Sequence, residues 1–180
     1  MAVATHLLLQ EPSARIILAG RNVEKGENAV QEVLQECNDA HVEFKQLNDV
    51  WDASALEPLV DMADCLIHTA EPYLGQRPIP LEVAVASSHC KVYVDVSDPL
   101  DYLEASLQLL DKATATSALL AAGAFPGMSN VLAMEAAHHL NSTVKNLFFN
   151  YFTSGLGGSG DVNLYITNLG FGAHGAVRER

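Results

Sequence analysis

The run RIILAG at residues 15–20, leading through Arg21-Asn22 into a helix-forming stretch from Val23, constrains the fold more than any other feature of the chain. A short β-branched strand that enters a helix through Gly-Arg is one βα step of a parallel sheet. The step then repeats. Apolar spacing and turn residues predict a helix over 2–10, a strand over 15–19, a helix over 23–37, a strand over 41–47, a helix over 53–62 and a strand over 65–69. The series continues with a helix over 81–88, a strand over 91–96, a helix over 102–114, a strand over 117–121 and a helix over 129–140. In the helix from Val23, the apolar Val30, Val33 and Leu34 recur at helical spacing, while Glu24, Lys25, Glu27 and Glu32 fall on the other side. That is the pattern of a surface helix laid on a sheet. The expected fold class is α/β with a parallel sheet.

The residues at the strand ends carry the functional reading, because ligands of open α/β sheets bind outside the carboxyl ends of the strands. In a Rossmann-like sheet an acidic residue ending the second strand takes the ribose 2′-OH of NAD, whereas an Arg there accommodates the 2′-phosphate of NADP. Gly20-Arg21 fills that position, with Asn22 and Lys25 at the entry of the following helix. A guanidinium at this point grips a phosphate bidentately, and the helix N-terminus adds its own preference for anions. The competing reading is a solvated Arg in a turn. Between Met1 and this strand stands only the segment 2–10, with no apolar first strand and no glycine-rich pyrophosphate loop ahead of it. The sheet is accordingly expected to be an incomplete Rossmann-like one.

Bulk properties narrow the class of function. The chain has 180 residues with 49% hydrophobic content, enough for a real core in one domain or in a nucleotide domain plus the start of a second. Ten basic against 22 acidic residues leave a net charge of −12, which argues against whole-molecule attraction to DNA, RNA or anionic lipid. The three cysteines, Cys37, Cys65 and Cys90, form no C-x-x-C pair, so no disulfide framework or structural zinc site is suggested. A reducing compartment, cytoplasm or plastid, fits this usage. No apolar run approaches the ~18 to 20 residues that span a bilayer. A composition shift follows Pro126-Gly127: after the helix comes a strand-like run over 144–153, then the glycine-rich SGLGGSG at 154–160. Domains are therefore expected at 1–140, binding the nucleotide, and at 141–180, opening a second α+β domain.

Further candidates sit at successive strand ends. Asp49-Val50 follows the strand over 41–47, where it serves either as the adenine contact or, in the case of Asp49, as the cap of the next helix. Thr69, Ala70, Glu71 and Pro72 follow the strand over 65–69, beside the place of the nicotinamide ribose. His68 lies close to that edge, but alternation along a buried strand favours a satisfied core histidine over an acid or base. Of the two carboxylates ending the strand over 91–96, Asp98 resembles a helix cap before Pro99, which leaves Asp95 as the site candidate unless it only braces loops. His138 and His139 are adjacent on a helix and point to different faces, the wrong geometry for a shared metal. No metal site is expected. Neither Tyr-x-x-x-Lys nor a P-loop signature occurs, and the cluster at 154–160 lacks the Lys of a phosphate loop. No residue has a secure acid or base role.

Five segments in order, LAGRNVEKGE (18–27), HTAEPYLG (68–75), YVDVSD (93–98), AGAFPGMSNVLAMEAA (122–137) and NYFTSGLGGSG (150–160), resemble the saccharopine dehydrogenase-like oxidoreductases, especially the plant and algal type. The Phe-Pro-Gly-Met-Ser-Asn element is the most specific of them. The resemblance implies an NADP-binding Rossmann domain, then an α+β domain for substrate and homodimer formation, acting on a small amino or imino acid. It makes Arg21 and Asn22 the 2′-phosphate contacts, Asp49-Val50 the adenine contacts and Thr69 to Pro72 the nicotinamide-side loop. Phe125, Pro126, Gly127, Ser129 and Asn130 become the interdomain element at the substrate cleft. Glu71 departs from the Gly usual in the family, where a carboxylate crowds and repels a phosphate-bearing cofactor. That departure and the absence of an obvious base support an alternative, a dinucleotide-binding regulatory or structural protein without turnover.

The order 3-2-1-4-5-6 places the first strand at the centre, so its absence separates the strands at 15–19 and 41–47 from the other three and exposes an edge on each side. Around five unpaired backbone groups per edge, at roughly 1 kcal/mol each, rival the ~5 to 15 kcal/mol stability of a domain. The chain is thus expected to be a fragment or truncated gene model of a longer protein, inactive by itself and prone to aggregate or melt at low temperature.

Overall fold

Short apolar strands alternate with helices through this computed structural model, which describes residues 1–70, 72–111, 115–140 and 142–150. In chain order the elements are α1 (Ala2–Gln10), β1 (Arg15–Gly20), α2 (Val23–Glu36), β2 (His41–Gln46), α3 (Ala53–Val60) and β3 (Cys65–His68). They continue as α4 (Ile79–Ala86), β4 (Val92–Asp95), α5 (Leu100–Leu110), β5 (Ser117–Leu119) and α6 (Met128–Leu140). Every strand pairing is parallel, so the fold is α/β with alternating helices and small parallel sheets. Each element expected from residues 2–140 is present, with ends shifted by at most a few residues. The strand expected over 144–153 is not: residues 144–150 are exposed and carry no regular structure, and 151–153 lie outside the described residues. A strand persists only where a neighbour takes its hydrogen bonds, and none of the described strands pairs with this run.

The strands form two sheets. In one, β1 pairs with β2 from Arg15↔His41 to Gly20↔Gln46. In the other, β3, β4 and β5 lie in that order, with Cys65↔Val92 and His68↔Asp95 in one ladder and Val92↔Ser117 in the next. Among the described residues no ladder joins β1 to β3. Each sheet has its own core. Ala4, Leu8 and Val33 pack with Ile16, Leu18 and Val42 around β1 and β2, while Leu47, Leu56, Val60, Leu81, Val83, Ala84, Cys90 and Tyr93 centre the second. Leu47 lies one residue beyond β2 yet belongs to the second core, so the segment after β2 ties the two halves together.

The helices start and seat themselves for local reasons. Asn22 caps α2, its side-chain oxygen accepting from the Lys25 amide at 2.8 Å. Gly26 then lets α2 lie directly on β2, because a Cβ there would stand 2.1 Å from the Phe44 ring. Asp52, not Asp49, caps α3, accepting from the Ser54 amide at 3.0 Å. Asp98 does not cap α5 either: the residue before the helix is Pro99, no side chain caps it, and Asp98 is exposed. With its φ fixed by the ring, Pro99 presets the turn into α5 and removes the need for a polar cap at that point.

Candidate functional site

The carboxyl edge of the β1–β2 sheet presents Gly20, Arg21 and Asn22. Arg21 is exposed immediately after β1, and its carbonyl oxygen accepts from Gln46 Nε2 at 3.2 Å, which fixes the turn against the end of β2. Among the described residues its guanidinium has no carboxylate partner. A Cβ on Gly20 would meet only ordinary contact with Phe44 at 3.7 Å, so space alone does not demand glycine there. Asn22 spends its side-chain oxygen on capping α2, which leaves its amide NH2 as the group able to meet an anion. An exposed guanidinium beside a helix N-terminus fits a phosphate monoester.

The loop after β2 joins this edge to the second sheet. Asp49 is exposed, and its carboxylate accepts from the Trp51 amide at 2.9 Å, a local turn that replaces the helix cap offered by sequence. Val50 packs against the second core. The turn delivers Trp51 onto the ends of β3 and α5: its ring stands edge-on to His68 at 5.2 Å, to Tyr73 at 6.1 Å and to Tyr102 at 6.2 Å. Thr69, Ala70 and Pro72 are exposed along the same edge, and Glu71 lies outside the described residues.

Beneath that edge lies a buried polar cluster. His68 and Asp95 are register partners on β3 and β4, 3% and 0% exposed. Asp95 Oδ1 accepts from the Ser97 amide at 3.2 Å, the Ser97 hydroxyl at 2.7 Å and the Ala121 amide at 3.0 Å, while its carbonyl accepts from the Ala122 amide at 2.7 Å. One oxygen of Asp95 therefore braces the turn after β4 to the end of β5. The other, Oδ2, is buried with no hydrogen-bond partner among the described residues, and so is His68 Nε2. His68 is thus buried as the strand alternation required, with its Nε2 lacking a hydrogen-bond partner among the described residues. Burial pushes its pKa down to about 4 against the opposing pull of the Asp95 charge, so the ring is neutral at pH 7. The Tyr73 hydroxyl donates to the His68 carbonyl at 2.7 Å, and the Tyr93 and Tyr102 hydroxyls meet at 3.3 Å. Burial raises both of those phenols, Tyr102 to about 12, so they act as neutral polar groups.

Four of the five residues expected at a substrate cleft do come together. Phe125, Pro126, Ser129 and Asn130 line a mainly apolar hollow of about 530 Å³ with Ala133, Met134, Leu147 and Phe149. Gly127 shapes the backbone there instead. Its φ is +126°, and a Cβ would come within 2.1 Å of the Gly123 carbonyl, so only glycine fits. His139 pairs with Glu135 at 2.9 Å, away from any shared site with His138. Among the described residues no three His, Cys, Asp or Glu side chains gather as metal ligands, and no helix is long and apolar enough to cross a membrane.

Trp51 and Tyr73 stand at this edge without having been singled out in the sequence, where His68 is weighed as an acid or base and read as a core residue. The usable signal was positional: β3 and β4 each end on a chemistry-bearing residue, His68 and Asp95, and parallel neighbours ending together place both at one rim. Comparison with protein-family models and with curated proteins finds no match for the chain.

Proposed function

We propose that the chain is the nucleotide-binding part of an NADP-dependent oxidoreductase of saccharopine dehydrogenase-like type, acting on a small amino or imino acid. The observation that carries this reading is Arg21: an exposed guanidinium without a carboxylate partner among the described residues, at the carboxyl end of a parallel strand and beside the capped start of α2. That constellation suits the 2′-phosphate of NADP and has no acidic residue to receive a free 2′-OH in its place. Asp49 and Val50 lie on the loop that would border the adenine. Thr69, Ala70 and Pro72 lie exposed at the next strand end, on the nicotinamide side. When bound, NADP would supply the hydride chemistry, and the chain's own part is to hold and orient it beside a substrate. The resemblance of the segment 122–137 to the family's interdomain element supports placing that substrate at the hollow lined by Phe125, Pro126, Ser129 and Asn130.

Titration of the purified chain with NADPH and NADH tests the proposal. Tighter binding of NADPH is expected, and Arg21→Ala should abolish most of the preference while leaving NADH affinity within about twofold. A lost phosphate contact of this kind is worth roughly 1.5 to 3 kcal/mol, or about 10- to 150-fold. Equal affinity for the two cofactors, or a preference that survives Arg21→Ala, removes the assignment.

A further inference from the structure

The two orphaned atoms under the carboxyl edge belong to one site. His68 Nε2 and Asp95 Oδ2 come from register partners on adjacent strands, both are buried, and each lacks a hydrogen bond among the described residues. Leaving a buried polar group unsatisfied costs about 1 to 3 kcal/mol, more for a charged one, so two such atoms on register-paired residues of adjacent strands call for a partner. Asp95 cannot relieve the deficit by turning, because three bonds fix its Oδ1. Nor can His68 move freely, with Trp51 and Tyr73 packed edge-on against its ring at 5.2 and 4.9 Å.

We propose that His68 Nε2 and Asp95 Oδ2 form a recognition site for a nitrogen bearing two or more N–H donors, a primary carboxamide or a small ammonium group. A carboxylate oxygen is an acceptor only, and a neutral imidazole protonated on Nδ1 presents a second acceptor at Nε2, so the partner must donate twice. Water also donates twice and is the partner such a group would displace, whereas an alcohol offers one donor and a carboxylate none. The surrounding rings of Trp51, Tyr73 and Tyr102 are compatible with such a group and hostile to an anion. Access lies through Trp51. It is only half-buried, it sits on the turn after β2 outside any helix or strand, and Thr69 and Ala70, the next residues after His68, are already exposed. The site stands on the β3–β4 pair alone and does not rest on the dinucleotide reading.

Trp51 is the single tryptophan of the chain, so its fluorescence reports on this site without a label. The intact protein is titrated at pH 7 with acetamide as the carboxamide probe and methylammonium as the amine probe, with acetate as the control lacking N–H donors. The His68 Nε2 resonance is followed in parallel by nitrogen NMR. A saturable change with acetamide or methylammonium, absent with acetate and accompanied by a shift at Nε2, is the expected result, and the responding probe distinguishes the two sources. Asp95→Asn keeps an acceptor at Oδ1 and turns Oδ2 into a donor, so it should weaken binding at least tenfold. His68→Phe preserves a ring of similar size in an apolar setting and should abolish the response. The proposal is overturned if neither probe gives a saturable change, if acetate gives the same change, or if the response persists in folded His68→Phe protein. The wild-type titrations decide the matter even where a variant does not fold.

Discussion

At the scale of single residues, identity and role part company at Asp95 and His68. Asp95 ends β4, and its two oxygens differ: Oδ1 ties the turn after β4 to the end of β5, while Oδ2 is buried with no hydrogen-bond partner among the described residues. No periodicity argument separates two oxygens of one carboxylate. His68 carries a pH prediction with a definite sign. Its folded pKa lies near 4, below the ordinary 6.5, so the unfolded chain binds a proton that the folded chain refuses. The stability from the neutral ring is fully present above about pH 6.5 and is lost as pH falls towards 4, a change of roughly 3 kcal/mol. The groups facing the ring are Asp95 from β4, the Tyr73 side chain and the Trp51 indole, and of these only Asp95 favours the charged form. Urea midpoints of wild type and His68→Phe at pH 7.0 and 4.5 should show a shallower acid decline in the variant. Parallel declines would mean that the ring titrates normally.

At the scale of elements, α2 shows how a local sequence choice seats a whole helix. Gly26 is a poor helix former, disfavoured by about 1 kcal/mol against Ala. Its presence is explained by Phe44, whose ring occupies the space a Cβ would need, 2.1 to 2.5 Å away. Gly26→Ala should therefore destabilise by about 1 to 3 kcal/mol despite the better propensity, because the helix must lift off β2 or the ring must leave its place. Thermal melts of Gly26→Ala with and without Phe44→Leu check this. The second change should recover part of the loss, whereas additive losses would show that the two residues do not meet. The element order was legible from residues 2–140 because apolar spacing switches between strand and helix periods at each turn. Helix caps were less legible. Asp49, Asp52 and Asp98 are all plausible caps by type, and only Asp52 does the work, since a cap depends on backbone direction at one residue rather than on composition.

At the scale of the whole molecule, two parallel sheets with separate cores meet through the segment from Leu47 to Trp51. Such a link couples them weakly, so damage to one core should stay in its own half. Leu8→Ala and Leu81→Ala each remove a fully buried side chain, one from each core, and each should cost its half about 2 to 5 kcal/mol. Amide hydrogen exchange should show Leu8→Ala accelerating β1 and β2 with little effect on β3–β5, and Leu81→Ala the reverse. Uniform acceleration across all five strands would show a single cooperative unit instead. The exposed apolar residues on α6, among them Val131, Leu132 and Met134, belong to neither core. The sequence by itself determined the parallel α/β class, the order of elements and the residues at each strand end, because periodicity, glycines and strand-to-helix turns are local properties of the chain. Tertiary structure alone decided the rest: the register of each ladder, that Leu47 joins the second core, and that Trp51 packs edge-on against His68. Those outcomes depend on register and packing between segments far apart in sequence, which no local pattern records.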